Sequence, residues 1–96
     1  MLRHVILLRF KPDRDPELVE RIRARLDALP KAIPQVRELR HGSDAGLSSG
    51  RFDYAIVVDF DSEADYRAYL EHPAHRELGA LVMQIVAEPA QIQFHC

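Results

Sequence analysis

Two stretches of the chain are mostly apolar on both of their alternating sides. The run Arg3 to Phe10 (RHVILLRF) places His4, Ile6, Leu8 and Phe10 on one side and Val5 and Leu7 on the other, and Lys11-Pro12-Asp13 closes it as a turn. The run Phe52 to Phe60 (FDYAIVVDF) sets Tyr54, Ile56, Val58 and Phe60 against Ala55 and Val57. Both read as strands with two apolar faces, which is the pattern of strands central in a sheet.

Between them the period changes. Asp15 followed by Pro16 is an N-cap with proline in the first helical position. Leu18, Val19, Ile22, Leu26 and Leu29 then recur at helical spacing until Pro30 and Pro34, which places the end of the helix near Leu29. Val36 to His41 is extended but poor in apolar residues and suits an edge strand. Gly42 to Gly50, with its glycines and serines, reads as a loop.

After the second apolar run, Ser62 with Asp65 three residues on caps a helix that Pro73 interrupts. His72-Pro73 reopens a last helix with the stripe Leu78, Leu81, Val82 and Ile85, and Pro89 is expected to end it. In the closing AQIQFHC, Ala90, Ile92, Phe94 and Cys96 alternate with Gln91, Gln93 and His95, a one-sided strand.

The order βαββαβ, with its second helix broken, predicts one α+β domain over residues 1–96, ferredoxin-like, with a four-stranded antiparallel sheet. Right-handed βαβ connections put the first and third strands in the centre. Helices can cover only one face of such a sheet. The Val5, Leu7, Ala55 and Val57 face therefore needs another cover, and a second copy of the sheet is the simplest: a homodimer, with Arg3, Arg9, Asp53 and Asp59 as its polar rim.

Composition narrows the function classes. Apolar residues make up 47% of the chain and charged ones 29%, an ordinary globular balance. A net charge of −2 supplies no field for nucleic acid or an anionic membrane, and Arg21, Arg23 and Arg25 are interleaved with Glu17, Glu20 and Asp27 as on a solvated helix face. The first apolar run is too short for a signal core or a membrane span. The single cysteine, Cys96, allows no internal disulfide, and a cytoplasmic setting fits that usage.

Several residues carry candidate chemistry. His4, Ile6, Tyr54 and Ile56 share the helix-side face, and Tyr69, His72 and His75 come from the proline-interrupted region above it. If they converge they line a mostly apolar pocket for a small apolar or aromatic ligand. A structural role stands beside this one: His72 can cap the last helix, and His75 can bond a backbone carbonyl to hold the break. His72 and His75 have only Glu71 and Glu77 as nearby carboxylates and no cysteine, so no metal is expected. The glycine loop lacks the lysine and spacing of a phosphate cradle, so no nucleotide is expected either.

The strand HVILLRFK, the Ile33-Pro34 pair, the run ending DFDS and above all Tyr69-Leu70-Glu71-His72-Pro73-Ala74-His75 resemble the stress-responsive A/B barrel domain family across nearly the whole chain. The resemblance implies a dimeric α+β barrel in which two ferredoxin-like sheets face one another. Members of that family include bacterial proteins of unassigned activity, heat-stable plant stress proteins and plant polyketide cyclases. In the cyclases a tyrosine and the second histidine of His-Pro-x-His form the acid/base pair, and these positions match Tyr69 and His75. The resemblance thus implies either a stress-associated binding protein or a cofactor-independent cyclase, isomerase or monooxygenase-like enzyme.

Overall fold

A computed structural model describes residues Met1–Cys96. Its elements are β1 (Leu2–Phe10), α1 (Pro16–Ala32), β2 (Glu38–Ser43), β3 (Tyr54–Phe60), α2 (Glu63–Glu71), α3 (Pro73–Ile85) and β4 (Val86–His95). The strands form one antiparallel sheet in the order β2-β3-β1-β4, the ferredoxin-like arrangement, with the two-faced apolar strands in the centre.

The caps form as the sequence predicts. The Asp15 carboxylate accepts from the Glu17 N–H at 2.9 Å, and the Ser62 hydroxyl accepts from the Asp65 N–H at 3.2 Å. On the helix side Leu8, Phe10, Tyr54, Ile56, Val58 and Phe60 meet Ile22, Leu26 and Leu29 of α1, Tyr69 of α2, and Leu78 and Ile85 of α3 in one core.

Four boundaries differ from the sequence expectation. Helix α1 runs through Pro30 to Ala32, because the fully buried Ile33 anchors its last turn and donates its N–H to the Leu29 carbonyl at 2.9 Å. Strand β2 begins at Glu38 and takes in Gly42 and Ser43, while Val36 turns into the core instead. Strand β3 begins at Tyr54. The last helix stops at Ile85, and Pro89 lies inside β4, where an edge strand leaves its missing N–H toward solvent. Opposite Arg9 and Phe10 the register jumps from Glu88 to Val86, a bulge at Ala87 that turns α3 directly into the strand.

The register also fixes the outer face of the sheet. Arg3, Val5 and Leu7 pair with Phe94, Ile92 and Ala90 on one side and with Asp59, Val57 and Ala55 on the other. The apolar patch read from the central strands therefore continues across β4, where Ile92 is 61% and Phe94 44% exposed.

The charges expected to form a rim toward a partner are engaged within the chain. Arg3 donates to both oxygens of the buried Asp59 at 2.8 and 2.9 Å, Arg9 and Arg51 converge on Glu88, and Asp53 accepts from the Phe10 N–H at 2.7 Å. The Arg3 guanidinium holds the Asp59 carboxyl below its usual range, and Arg51, with Arg9, does the same for Glu88.

Candidate functional site

The break between α2 and α3 builds the site. Pro73 has no N–H for the Tyr69 carbonyl, which accepts from the His72 N–H at 3.2 Å instead. His72 then caps α3, its Nδ1 accepting from the Ala74 N–H at 3.1 Å. In a continuous helix that N–H would go to the Leu70 carbonyl. Leu70 is thereby left free, and the His75 ring folds back so that Nδ1 donates to its oxygen at 3.2 Å. A carbonyl only accepts, so neutral His75 carries its proton on Nδ1 and keeps a lone pair on Nε2.

Tyr69 is buried, with its ring edge-on to Phe60 at 5.0 Å and tilted against His75 at 4.4 Å. Its hydroxyl has no partner in the chain, and no fully enclosed side-chain polar atom lacks one, so that hydroxyl opens onto space large enough for water or a ligand. Burial raises the phenol pKa and keeps it protonated, a donor; burial also lowers the pKa of His75 against the opposing Leu70 bond, which keeps the imidazole neutral.

Tyr69 and His75 line one small cavity of about 110 Å³ between sheet and helices. The rest of its wall is Ile6, Leu8, Leu26, Ile56, Leu78, Gly79 and Val82, apolar apart from the helix backbone. Of the residues singled out from sequence, Ile6, Ile56, Tyr69 and His75 share this space. His72 does not line it; it caps α3.

His4 sits beside the cavity rather than in its wall. It is 1% exposed, packs against the Tyr66 ring at 5.0 Å, and its Nδ1 accepts from the Gln93 amide at 2.8 Å. Burial, then the nearby His75, lowers its pKa from 6.5 to about 4.

Tyr54 does not reach the cavity. Its hydroxyl bonds His41 Nδ1 at 2.5 Å, and His41 Nε2 bonds the Asp27 carboxylate at 2.5 Å, with Arg23 3.4 Å from the same hydroxyl. This chain ties α1 to β2 and β3, and sequence reasoning missed it because only the β2–β3 register brings His41 over Tyr54. Burial raises the Tyr54 pKa, with Arg23 opposing. Replacing His41 with alanine removes the hydroxyl's closest partner and is expected to cost about 1–3 kcal/mol in urea unfolding. Adding Tyr54→Phe should recover part of that loss, and an equal loss in single and double variants would show that the hydroxyl was never stranded.

A wider surface cleft of about 460 Å³ lies between the start of α1 and the β2–β3 loop, lined by Arg14, Glu20, Asp44 and Asp53 among others. It is open and polar, and the Asp53 carboxylate in its wall is already taken by the Phe10 N–H. No three His, Cys, Asp or Glu side chains converge to hold a metal ion, and no helix is long and apolar enough to cross a membrane.

Residues 2–96 match the family model described as Stress responsive A/B Barrel Domain. A dimeric ferredoxin-like protein of unknown function from Thermobifida fusca is 37% identical, with a TM-score of 0.91, covering 99% of this chain and 90% of that one. The hydroxynitrile lyase of Passiflora edulis superposes with a TM-score of 0.86 at 21% identity, covering 97% of this chain and 90% of that one. An antibiotic biosynthesis monooxygenase superposes at 0.82 with 10% identity, covering 100% and 98%. These last two likenesses are of fold. Among curated protein sequences none matches.

Proposed function

Because the chain belongs to the stress-responsive A/B barrel domain family, we propose that it works as a homodimer, closed through the outer sheet face, whose cavity between sheet and helices takes a small, largely apolar molecule with one polar group. The dimer reading is supported by the dimeric relative from Thermobifida fusca and by the apolar outer face of Val5, Leu7, Ala55, Val57 and Ile92. Free Cys96 suits a reducing, cytoplasmic setting.

The observation that carries the ligand reading is that Tyr69 and His75, whose hydroxyl and Nε2 find no partner in the chain, line one otherwise apolar cavity. At about 110 Å³ the cavity lies below the roughly 300–1,000 Å³ of sites for drug-sized ligands, so the group it holds is of only a few heavy atoms. A carbonyl fits the two groups. Tyr69 donates to its oxygen, and the Nε2 lone pair faces an adjacent C–H.

The same pairing favours a second reading, acid/base catalysis without a cofactor. A proton leaves the carbon beside the carbonyl for His75 Nε2, the C–H electrons pass into the C–C bond, and the charge gathering on oxygen is held by the Tyr69 hydroxyl. Incubation of butan-2-one with the protein in D2O tests it directly. Catalysed exchange of the α-hydrogens should fall about 10²–10⁴-fold in His75→Ala with the melting temperature held. Absence of exchange in the wild type would leave binding as the function, and equal loss of activity and melting temperature would make His75 structural.

A further inference from the structure

Gly79 lies in the interior of α3, one helical turn beyond His75 on the same side. Short of proline, glycine is the least favourable residue for that position. The backbone does not call for it, since Gly46 is the only residue with positive φ. Packing does not call for it either, because a Cβ at Gly79 would meet no atom within 4 Å. Yet Gly79 lines the same cavity as Tyr69 and His75, and it is only half-buried. The absent side chain thus leaves open space where the cavity wall meets the half-buried flank of α3.

Resting on the reading of this cavity as a ligand site, we propose that Gly79 is a specificity-determining residue: the ligand's carbonyl head lies between Tyr69 and His75, and an apolar arm too long for the cavity leaves through the open space at Gly79. The substrate class is then an enolisable ketone or aldehyde with an extended alkyl or aryl arm. The cavity volume limits the head, whereas the arm is limited only by the width of that open space. Val82, one turn nearly in line with Gly79 along α3, and Leu26 of α1 supply the apolar surface the arm would cover.

Two probes separate head from arm: butan-2-one, which is nearly all head, and 4-phenylbutan-2-one, which carries the same methyl ketone on a long aryl arm. Binding is followed by NMR shifts of the Ile6, Ile56 and Val82 methyl groups in the whole chain. The wild type is expected to bind both. Gly79→Leu is expected to weaken 4-phenylbutan-2-one about tenfold or more beyond any change in butan-2-one, since the arm loses its buried surface. Gly79→Ala should weaken only the long ketone, by less, with a melting temperature at or above that of the wild type. It carries the test if the leucine variant does not fold. Folded variants that lose both ketones, or neither, overturn the role of Gly79 alone. A wild type that binds neither ketone overturns the reading of the cavity and this inference with it.

Discussion

Leu7→Asp is expected to convert the protein from dimer to folded monomer. Leu7 sits mid-strand in β1 on the outer face, with Ala55 on one side and Ala90 on the other, and no helix covers it. In a two-fold assembly through this face each copy's aspartate would enter an apolar interface together with its symmetry mate. Removing a carboxylate from water without a partner costs several kcal/mol, and here it happens twice. The isolated subunit pays almost nothing, because the same carboxylate stays hydrated there. The neighbouring charges would not rescue it, since Arg3 is held bidentately by Asp59 and Arg9 by Glu88. Light scattering coupled to size exclusion should report two chains for the wild type and one for Leu7→Asp, with unchanged circular dichroism. His75→Ala, on the opposite face of the sheet, should remain a dimer. A monomeric wild type, or a variant that still elutes as two chains, would refute the assembly.

The central strands were legible because mid-strand alternation leaves no polar face: Val5 and Leu7 back Ile6 and Leu8, Ala55 and Val57 back Ile56 and Val58, and the sheet order follows from that and the handedness of the connections. Helix starts were legible through Asp15, Ser62 and His72, whose capping chemistry is local. What escaped depends on contacts distant in sequence. Pro30 and Pro89 carry local signals to stop, but Ile33 is fully buried and β4 lies at an edge, and those tertiary facts decide. That the charges around the outer face pair within the chain, Arg3 with Asp59 among them, is visible only through register. The site divides the same way. Tyr69 and His75 are close in sequence, so the proline break between them brings them to one cavity, whereas His4 and Tyr54 share a face but not that space; each is held by a neighbour, Gln93 or His41, that alternation cannot assign.

Folding stability is expected to fall by about 3 kcal/mol between neutral pH and pH 4 through His4 alone. The ring is 1% exposed, and the Gln93 amide donates to Nδ1, a bond only the uncharged imidazole accepts. Protonation would set donor against donor and strand a charge beside Tyr66 and His75. Burial, and after it the nearby His75, lowers the pKa from 6.5 to about 4 in the folded chain. Between those values the unfolded chain binds the proton and the folded chain does not, so acid favours unfolding: the contribution is whole above pH 6.5 and is lost progressively toward pH 4. His75, also lowered, acts in the same direction. The depressed carboxylates Asp59 and Glu88 act lower, where their stabilisation disappears only as pH drops beneath the usual carboxylate range. His4→Gln isolates the histidine, since glutamine can accept from Gln93 but does not titrate. Urea midpoints measured from pH 7 to pH 4 should fall more steeply for the wild type than for His4→Gln, by an amount equivalent to about 3 kcal/mol. Parallel curves would mean that His4 takes up its proton in the folded state near its ordinary pH, and that its burial does not hold it neutral.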